Sequence, residues 1–333
     1  MRTLISILLA TVLGWSSAGM AAEPLEVGYM PIIPVSQAFV ALESDRLAEA
    51  GIKDPELIQF QNGPAMVQAL LAGQLDIAYL GIGPAMVARA KGADIKVVAS
   101  NIVEQISLVA LGELAPYFES GEQNTAFSRF TADKGRKPVI ATFPVGSVPE
   151  TVLQYWLRKQ LQIDPTQIEV IYQGAAQVQQ SLLTGAVDGA AILEPVVSIS
   201  LDRLPEARVV ASGSQMFPSQ PGAVLIVRES LINNQPELVQ ALVAVHADVS
   251  RLLREHPEQT VAAVKRYVGG GRLPEAIVKR ALENSSAHFI DDPRKIIGGT
   301  QAMHDFQAEI GTLKAHVDLN ELFDTRFYEA LDR

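Results

Sequence analysis

The sequence predicts an α/β fold built from two similar units. Apolar segments of strand length alternate with helical segments from residue 25 onward, and this pattern returns 112 residues later. The chain has 333 residues, of which 48% are hydrophobic and 19% are charged. That composition is enough for two ordinary cores, and it excludes a disordered or low-complexity protein.

The first unit follows a strand–helix order. Strands are predicted at 25–30, 57–61 and 75–80, with helices at 36–50 and 64–72 between them. Gly73 ends the second helix, and Pro84 begins another helix at a first-turn position where its missing N–H costs nothing. This βαβαβ order predicts a mainly parallel sheet covered by helices on both faces.

The second unit is recognised by an internal repeat. Residues 57–78 align without a gap on residues 169–190, with seven identities in 22 positions. The identical pairs are Gln61 and Gln173, Gln68 and Gln180, Leu70 and Leu182, Leu71 and Leu183, Gly73 and Gly185, Asp76 and Asp188, and Ala78 and Ala190. Any two helix–glycine–strand units could share part of this likeness. Under either interpretation the chain contains two α/β units.

Two facing units imply two lobes with a cleft between them, because ligands gather at the carboxyl ends of parallel strands. Residues 23–110 with 222–333 are predicted to form the first lobe, and residues 111–221 the second. The chain is expected to cross between them near 108–112 and near 219–223. The C-terminal helices are expected to pack on the first lobe. Residues 113–137 fit neither unit and are interpreted as a surface insertion, partly helical around Phe118 and Phe127.

The first 22 residues are typical of a cleavable export signal. Arg2 precedes an apolar stretch at 4–14 that is too short to span a bilayer, and small residues follow at 16–22. An uncleaved N-terminal anchor is the alternative, but the segment has no charged face to lie along a membrane surface. The mature protein is therefore expected to be soluble and extracytoplasmic.

Composition and motifs exclude several function classes. A net charge of −10 argues against nucleic-acid binding, and the chain has no cysteine for thiolate chemistry. The five histidines lack the spacing of metal ligands on one helix face. No nucleophile elbow or phosphate-binding loop is present, and Ser147 with Glu150 fits a helix capping box. No catalytic residue, metal site or cofactor is predicted.

The remaining candidates are the points where strands give way to helices. Helices are predicted to begin at Ser36, at Gly83 and at Ser147, each shortly after a strand. The first amides of a helix have no partner within it and lie at the positive end of its dipole. Such junctions can bind a small polar or anionic ligand, although simple N-capping explains them equally well.

At these junctions the sequence resembles the type-2 periplasmic solute-binding proteins of ABC importers for taurine, alkanesulfonates and nitrate, with the related thiamine-pyrimidine binders. The segments that carry the resemblance are VGY at 27–29, GPAMVQALLAGQLDIAYLGIGPAMVARAKG at 63–92, IKVVAS at 95–100 and LLTGAVDGAAILEPV at 182–196. The resemblance implies a two-lobed periplasmic-binding-protein fold with two hinge crossings. It also implies a small-molecule ligand, a permease partner in the inner membrane and a monomeric protein.

The family pattern further implies which residues contact the ligand. They are Tyr29, Met30, Asn62, Gly63, Gly81, Ile82, Gly83, Gln105, Ser147, Gln173 and Glu194. This set contains one carboxylate and no Lys or Arg. An unpaired buried carboxylate is costly, so Glu194 favours a ligand with an amine or protonated ring nitrogen over nitrate. Alternatively, Glu194 caps a neighbouring helix or faces solvent.

The resulting expectation is a periplasmic receptor that closes over a small polar solute, sulfonate-like or a nitrogen heterocycle, and makes no covalent change to it. Met30, Phe143 and Phe217 would leave room for an apolar portion of the solute. Two alternatives stay open at this point. One is a ligand-sensing subunit for a membrane receptor kinase, and the other is a pyrimidine-precursor enzyme on the same fold, which the absence of cysteine disfavours.

Overall fold

The computed structural model describes residues 24–119 and 122–332 of the chain. The predicted signal peptide therefore lies outside the described residues. The strands are β1 (Glu26–Tyr29), β2 (Glu56–Gln59), β3 (Ile77–Gly81), β4 (Ile95–Ser100), β5 (Ser107–Ala110), β6 (Val139–Thr142), β7 (Glu169–Tyr172), β8 (Gly189–Ile192), β9 (Arg208–Ala211) and β10 (Ala223–Arg228).

Helices connect and cover these strands. In chain order they are α1 (Ser36–Glu43), α2 (Arg46–Glu49), α3 (Gly63–Leu71), α4 (Ile82–Ala90), α5 (Pro116–Glu119), α6 (Ala126–Lys134), α7 (Val148–Tyr155), α8 (Ala175–Leu183), α9 (Val196–Arg203), α10 (Gly213–Met216), α11 (Glu229–Asn234), α12 (Pro236–Glu255), α13 (Val261–Lys265), α14 (Glu275–Ser285), α15 (Ile297–Glu309), α16 (Leu319–Leu322) and α17 (Arg326–Glu329). A π-helical turn, Trp156–Gln160, continues α7.

The strands form two five-stranded sheets of equivalent order. The first runs β2-β1-β3-β10-β4 and the second β7-β6-β8-β5-β9. In each sheet the first three strands pair in parallel, and the fourth runs antiparallel to both of its neighbours. We call the first sheet with its helices lobe 1 and the second with its helices lobe 2. The predicted α/β class with two sheets is confirmed.

The 112-residue repeat is visible in the helix boundaries. Helix α1 begins at 36 and α7 at 148, and 36 + 112 = 148; their ends at 43 and 155 have the same offset. Helices α3 and α8 begin at 63 and 175 and end at 71 and 183, again 112 apart. The segments that form α1 and α3 in lobe 1 are therefore repeated at a constant offset in α7 and α8 of lobe 2.

The chain passes between the sheets earlier than the predicted crossing at 108–112. Strand β5 at 107–110 already pairs with β8 and β9 of the second sheet. The first crossing therefore spans 101–106, and residues 107–110 lie with lobe 2. The second crossing lies between β9 and β10, over 212–222. A short apolar strand such as SLVA carries no signal that tells which sheet it will join.

The segment 113–137 is not a surface insertion. It supplies α5 and α6, as the helical prediction expected, but Phe118 and Phe127 are buried against Trp156 at ring-centroid distances of 6.1 and 6.0 Å. Phe130, on the same helix as Phe127, is fully buried. This segment therefore forms part of the core of lobe 2.

The C-terminal helices pack mainly on lobe 1. Helix α12 lies against α1 and β4, where the ring of His246 lies 2.7 Å from the carbonyl oxygen of Ser100. Two later helices also reach lobe 2, since α14 contacts α9 and α15 contacts α7. The tail therefore bridges the lobes along one side.

Candidate functional site

A small cavity lies between the two lobes at the carboxyl ends of their parallel strands. Its volume is about 30 Å³, well below the roughly 300–1,000 Å³ of typical ligand pockets. We call it the interlobe cavity. Its lining residues are Met30, Ile32, Val35, Gly63, Leu80, Gly81, Pro84, Gln105, Phe143, Ser147, Val148, Pro149, Leu193 and Ala223.

Four helix N-termini meet at this cavity. Val35 is the N-cap of α1, Gly63 begins α3, Gly81 immediately precedes α4, and Ser147 is the N-cap of α7. The Ser147 hydroxyl accepts a hydrogen bond from the backbone N–H of Glu150 at 3.5 Å, which orients the first turn of α7. Because helix N-termini carry partial positive charge, the cavity favours an anionic or electron-rich group.

The lobes are in direct contact around the cavity. The backbone N–H of Ile33 donates to the carbonyl of Glu194 at 3.2 Å, and that of Ala175 donates to the carbonyl of Gln61 at 3.4 Å. A Cβ added at Gly81 would lie 2.7 Å from Cγ2 of Val148 across the boundary. The absence of a side chain at this position therefore lets α7 approach β3.

The structure brings together five of the residues expected to bind ligand. They are Met30, Gly63, Gly81, Gln105 and Ser147, and all of them line the interlobe cavity. Gln105 lies in the first crossing, and its Oε1 atom is buried without a hydrogen-bond partner in the described part of the chain. A buried amide oxygen without a partner is costly, so it marks a place where a ligand donor or a water molecule belongs.

Tyr29 lies in the interior of lobe 1 and does not line the cavity. Its ring packs edge-on against Phe39 and Tyr267 at centroid distances of 5.7 and 6.0 Å. The hydroxyl lies 3.5 Å from the side-chain oxygen of Gln59, and burial raises the pKa of Tyr29. The last residue of β1 therefore points to the opposite face from Met30, as the alternation of side chains along a strand requires.

Four other expected residues also lie outside the lining. Asn62 caps α3 by accepting from the N–H of Ala65 at 2.9 Å. Ile82 is fully buried, and Gly83 lies against Gln307 of α15. Gln173 follows strand β7, and its side-chain oxygen accepts from the hydroxyl of Ser181 at 2.9 Å. All four have structural contacts of their own.

Glu194 has its hydrogen bonds satisfied within the protein. Its carboxylate accepts from the N–H and hydroxyl of Ser198 at 2.9 and 2.8 Å, and from the Asn284 side chain at 3.0 Å. The side chain is buried, and desolvation raises the pKa of Glu194. Glu194 does not line the interlobe cavity. The argument that it selects an amine there therefore does not hold, and its capping of α9 agrees with the alternative interpretation.

Several lining residues are missing from the expected set, although the repeat could have identified two of them. Leu193 is the counterpart of Gly81, since 81 + 112 = 193, and Val35 is the counterpart of Ser147, since 35 + 112 = 147. Phe143 was expected only as an apolar neighbour. Phe217 was the other aromatic residue expected beside the solute. Its ring stacks on that of Tyr155 with the ring centroids 3.7 Å apart, and it does not line the cavity.

Two features that bear on function classes are absent from the described residues. No group of three or more His, Asp or Glu side chains in residues 24–119 and 122–332 is placed to hold a metal ion. Within the same ranges, no helix has the length and apolar character needed to cross a bilayer.

This architecture, two α/β lobes with a shared cavity at their facing strand ends, defines a class of two-lobed binding proteins. The chain belongs to the NMT1-like family, whose model matches residues 19–268. The resemblance found in the sequence is confirmed at this level.

Three known proteins illustrate the relationship. A Brucella abortus protein named only as a binding protein is 25% identical, and the match covers 99% of each chain. An Escherichia coli protein named for binding aliphatic sulfonates is 26% identical over 85% of this chain and 84% of that one. The alkanesulfonate-binding protein SsuA of Xanthomonas axonopodis pv. citri, solved with MOPS bound, superposes with a TM-score of 0.73. That structure is 21% identical and covers 92% of this chain and 100% of its own, so it supports the fold alone. All three are named as binding proteins, in agreement with the expectation that the chain is not an enzyme.

Proposed function

We propose that this chain is the extracytoplasmic solute-binding component of an ABC importer, which captures a small polar organic solute between its lobes. The observation that carries the proposal is the interlobe cavity, which draws its walls from corresponding strand–helix junctions of both lobes. The naming of relatives as binding proteins supports it. Under this proposal residues 1–22 direct export to the periplasm, and a permease in the inner membrane receives the solute from the monomeric protein.

Capture requires the lobes to move. The cavity of about 30 Å³ has no room for an organic solute, so the lobes must separate to admit one. The two crossings, 101–106 and 212–222, join the lobes side by side and are the natural hinge. A solute that contacts both lobes would shift the population toward the closed arrangement.

The lining favours an anionic head group with an apolar body. Among the described residues, none that lines the cavity carries a formal charge, so the helix N-termini and Gln105 supply the polar contacts. Phe143 and Leu193 supply an apolar wall. With Glu194 engaged elsewhere, a sulfonate-like solute fits these contacts better than an amine, and a neutral nitrogen heterocycle is the second choice.

A ligand screen with matched variants tests the proposal. The mature protein, residues 23–333, is titrated calorimetrically with taurine, ethanesulfonate, butanesulfonate, nitrate and a pyrimidine. We expect an alkanesulfonate to bind, and Gln105→Leu to weaken that binding by about tenfold through the loss of the hydrogen bond that the Gln105 side-chain N–H donates to the anion. The Oε1 atom of Gln105 accepts, so it is left to a water molecule or to a donor elsewhere on the solute.

Gln167→Leu is the matched control, because Gln167 also has a buried unpartnered Oε1 but lies away from the cavity. Small-angle scattering should show a more compact protein with bound solute. Failure of every solute to bind, equal losses in both variants, or catalytic turnover of a solute would contradict the proposal.

A further inference from the structure

Both lobes and the C-terminal tail together form a pocket outside the interlobe cavity. Its volume is about 400 Å³, within the range of small-molecule sites, and Pro84 is the one described residue that lines both. We call it the outer pocket. It is lined by Pro64, Val67, Gln68, Pro84, Val87, Ala90, Lys91, Val145, Gly146, Thr312, Leu313, Lys314 and Ala315.

Most of this lining is apolar, and part of it is open to water. Val67 of α3 and Leu313 of the tail are buried beside the pocket. Val145, in the loop before α7, is 52% exposed, more than any other large apolar side chain in the described part of the chain. An apolar side chain exposed in a concave wall favours an occupant that removes it from water.

The charged residues of the lining are two lysines. Lys91 follows the last residue of α4 and Lys314 lies in the tail, and neither forms an ion pair with a carboxylate among the described residues. No Asp or Glu lines the pocket, although acidic residues outnumber basic ones 37 to 27 in the whole chain. The outer pocket is therefore a positively charged site on a negatively charged protein, and it complements an anion.

The apolar and charged parts of the lining are separated along helix α4. Pro84, Val87 and Lys91 are spaced by three and four residues, so they lie on one face of the helix. Pro84 also touches the interlobe cavity, and Lys91 lies at the other end of α4, about 10 Å away at 1.5 Å per residue. An occupant along this face meets apolar side chains first and an ammonium group at its end.

We propose that the outer pocket binds a medium-chain alkyl monoanion, with its chain along α4 and its head group paired with Lys91 and Lys314. The site is separate from the interlobe cavity, and it does not depend on which solute binds there. Its walls come from α3 and α4 of lobe 1, residues 145–146 of lobe 2 and residues 312–315 of the tail. An occupant that contacts all three parts stabilises the arrangement in which they are together.

The test uses octanoate, with octanol as its uncharged match and octylammonium as the match of opposite charge. Isothermal titration of the mature protein at pH 7.5 should show saturable binding of octanoate, binding of octanol at least about tenfold weaker, and none of octylammonium. Lys91→Gln and Lys314→Gln should each weaken octanoate binding about threefold, because an exposed ion pair contributes little. Lys53→Gln, an exposed lysine outside the lining, is the control and should bind octanoate as the unmodified chain does.

Val145→Asp is the sharper variant, since it places a carboxylate in the wall of the pocket. Val145 is exposed, so the change should leave folding intact and weaken octanoate binding at least about tenfold. Val209→Asp is the matched control, because Val209 is also an exposed valine of lobe 2, at 42%, and does not line the outer pocket. The proposal is overturned if octanoate does not bind, if octanol or octylammonium binds as well as octanoate, or if the two aspartate variants behave alike.

The interlobe cavity is the other place where an alkyl anion could bind, and two variants distinguish the sites. Octanoate binding that is lost in Gln105→Leu and kept in Val145→Asp would place the anion in the interlobe cavity and overturn the proposal. Octanoate binding that is lost in Val145→Asp supports it, even where no solute in the sulfonate screen binds. Failure of the outer pocket and failure of the proposed function are therefore distinguishable.

Discussion

Lobe 1 and lobe 2 share one strand order, but they present different atoms to the cavity between them. Where lobe 1 has Gly81 and Val35, lobe 2 has Leu193 and Ser147 at the positions 112 residues later. At the cavity, lobe 1 contributes two glycines, and lobe 2 contributes an aromatic ring and a hydroxyl. The duplicated module has kept its sheet order and its main helix boundaries while its strand–helix junctions have diverged.

The difference extends to what stabilises each lobe. Lobe 1 is covered by the C-terminal helices. Lobe 2 instead has α5 and α6, which follow β5 and precede β6 along the chain. Each lobe has thus gained its additional core from a different part of the chain. The lobes should therefore respond differently to equivalent truncations of buried side chains.

The largest effect is expected from Phe127→Ala. Phe127 is fully buried against Phe118 and Trp156 in lobe 2, and its loss leaves a cavity that costs about 3–5 kcal/mol. Trp156 is the sole tryptophan among the described residues, so its fluorescence during urea unfolding reports on lobe 2. The midpoint of that transition should fall strongly.

Phe39→Ala is the corresponding truncation in lobe 1, where Phe39 is also fully buried. If the lobes unfold independently, this variant should leave the Trp156 transition in place and shift only the circular-dichroism transition of lobe 1. A single transition that shifts equally in both variants would show that the lobes unfold as one unit, and it would remove the energetic distinction between them.

The sequence was sufficient to predict the two modules, because a period of 112 and a helix–glycine–strand pattern are local signals. It was insufficient for β5, which the predicted bounds placed in the first lobe but which pairs with the second sheet, whereas β10 lies in lobe 1, within the predicted range 222–333. The apolar residues of β5 suit either sheet, and the choice depends on contacts between distant parts of the chain. The burial of Phe118 and Phe127 was missed for the same reason.

The sequence predicts which strand–helix junctions lie at the cavity better than it predicts which side chains line it. Gly63, Gly81 and Ser147 follow from the rule that ligands gather where parallel strands lead into helices. Tyr29 and Glu194 do not line the interlobe cavity, because side-chain direction depends on packing: Tyr29 points into the core of lobe 1, and Glu194 turns back onto α9. The sequence alone locates the loop, but the packing of the fold determines which of its side chains point into the cavity.

Glu150 offers a second way to separate the lobes, through pH. Desolvation by burial raises the pKa of Glu150 to about 7, whereas the equivalent position in lobe 1 is Ala38, since 38 + 112 = 150. A raised carboxyl pKa means that the folded state binds the proton more tightly than the unfolded state. Its contribution to stability is therefore full below about pH 4.5 and is lost as pH rises toward 7, by roughly 2–4 kcal/mol.

Glu150→Gln should remove this dependence, because the amide is uncharged and its oxygen can still accept from the N–H of Gly146. The measurement is the difference in unfolding free energy between variant and parent chain, taken from pH 4.5 to pH 8. The variant should gain in relative stability as pH rises. A difference that stays constant with pH would mean that Glu150 titrates normally in the folded protein.

The smallest effect in free energy bears most directly on function. Gly81→Ala adds one methyl group, and its backbone angles, φ −67° and ψ 147°, suit any residue, so the new contact is chiefly with Val148 of lobe 2. The methyl group should hold the lobes slightly apart and weaken solute binding by about tenfold, or about 1.4 kcal/mol. Gly298→Ala is the control, because a Cβ there meets nothing within 4 Å. Calorimetry and scattering on both variants would decide whether closure depends on the absence of a side chain at Gly81, whose equivalent in lobe 2 is Leu193. Equal affinity in both would mean that the lobes can close without this approach.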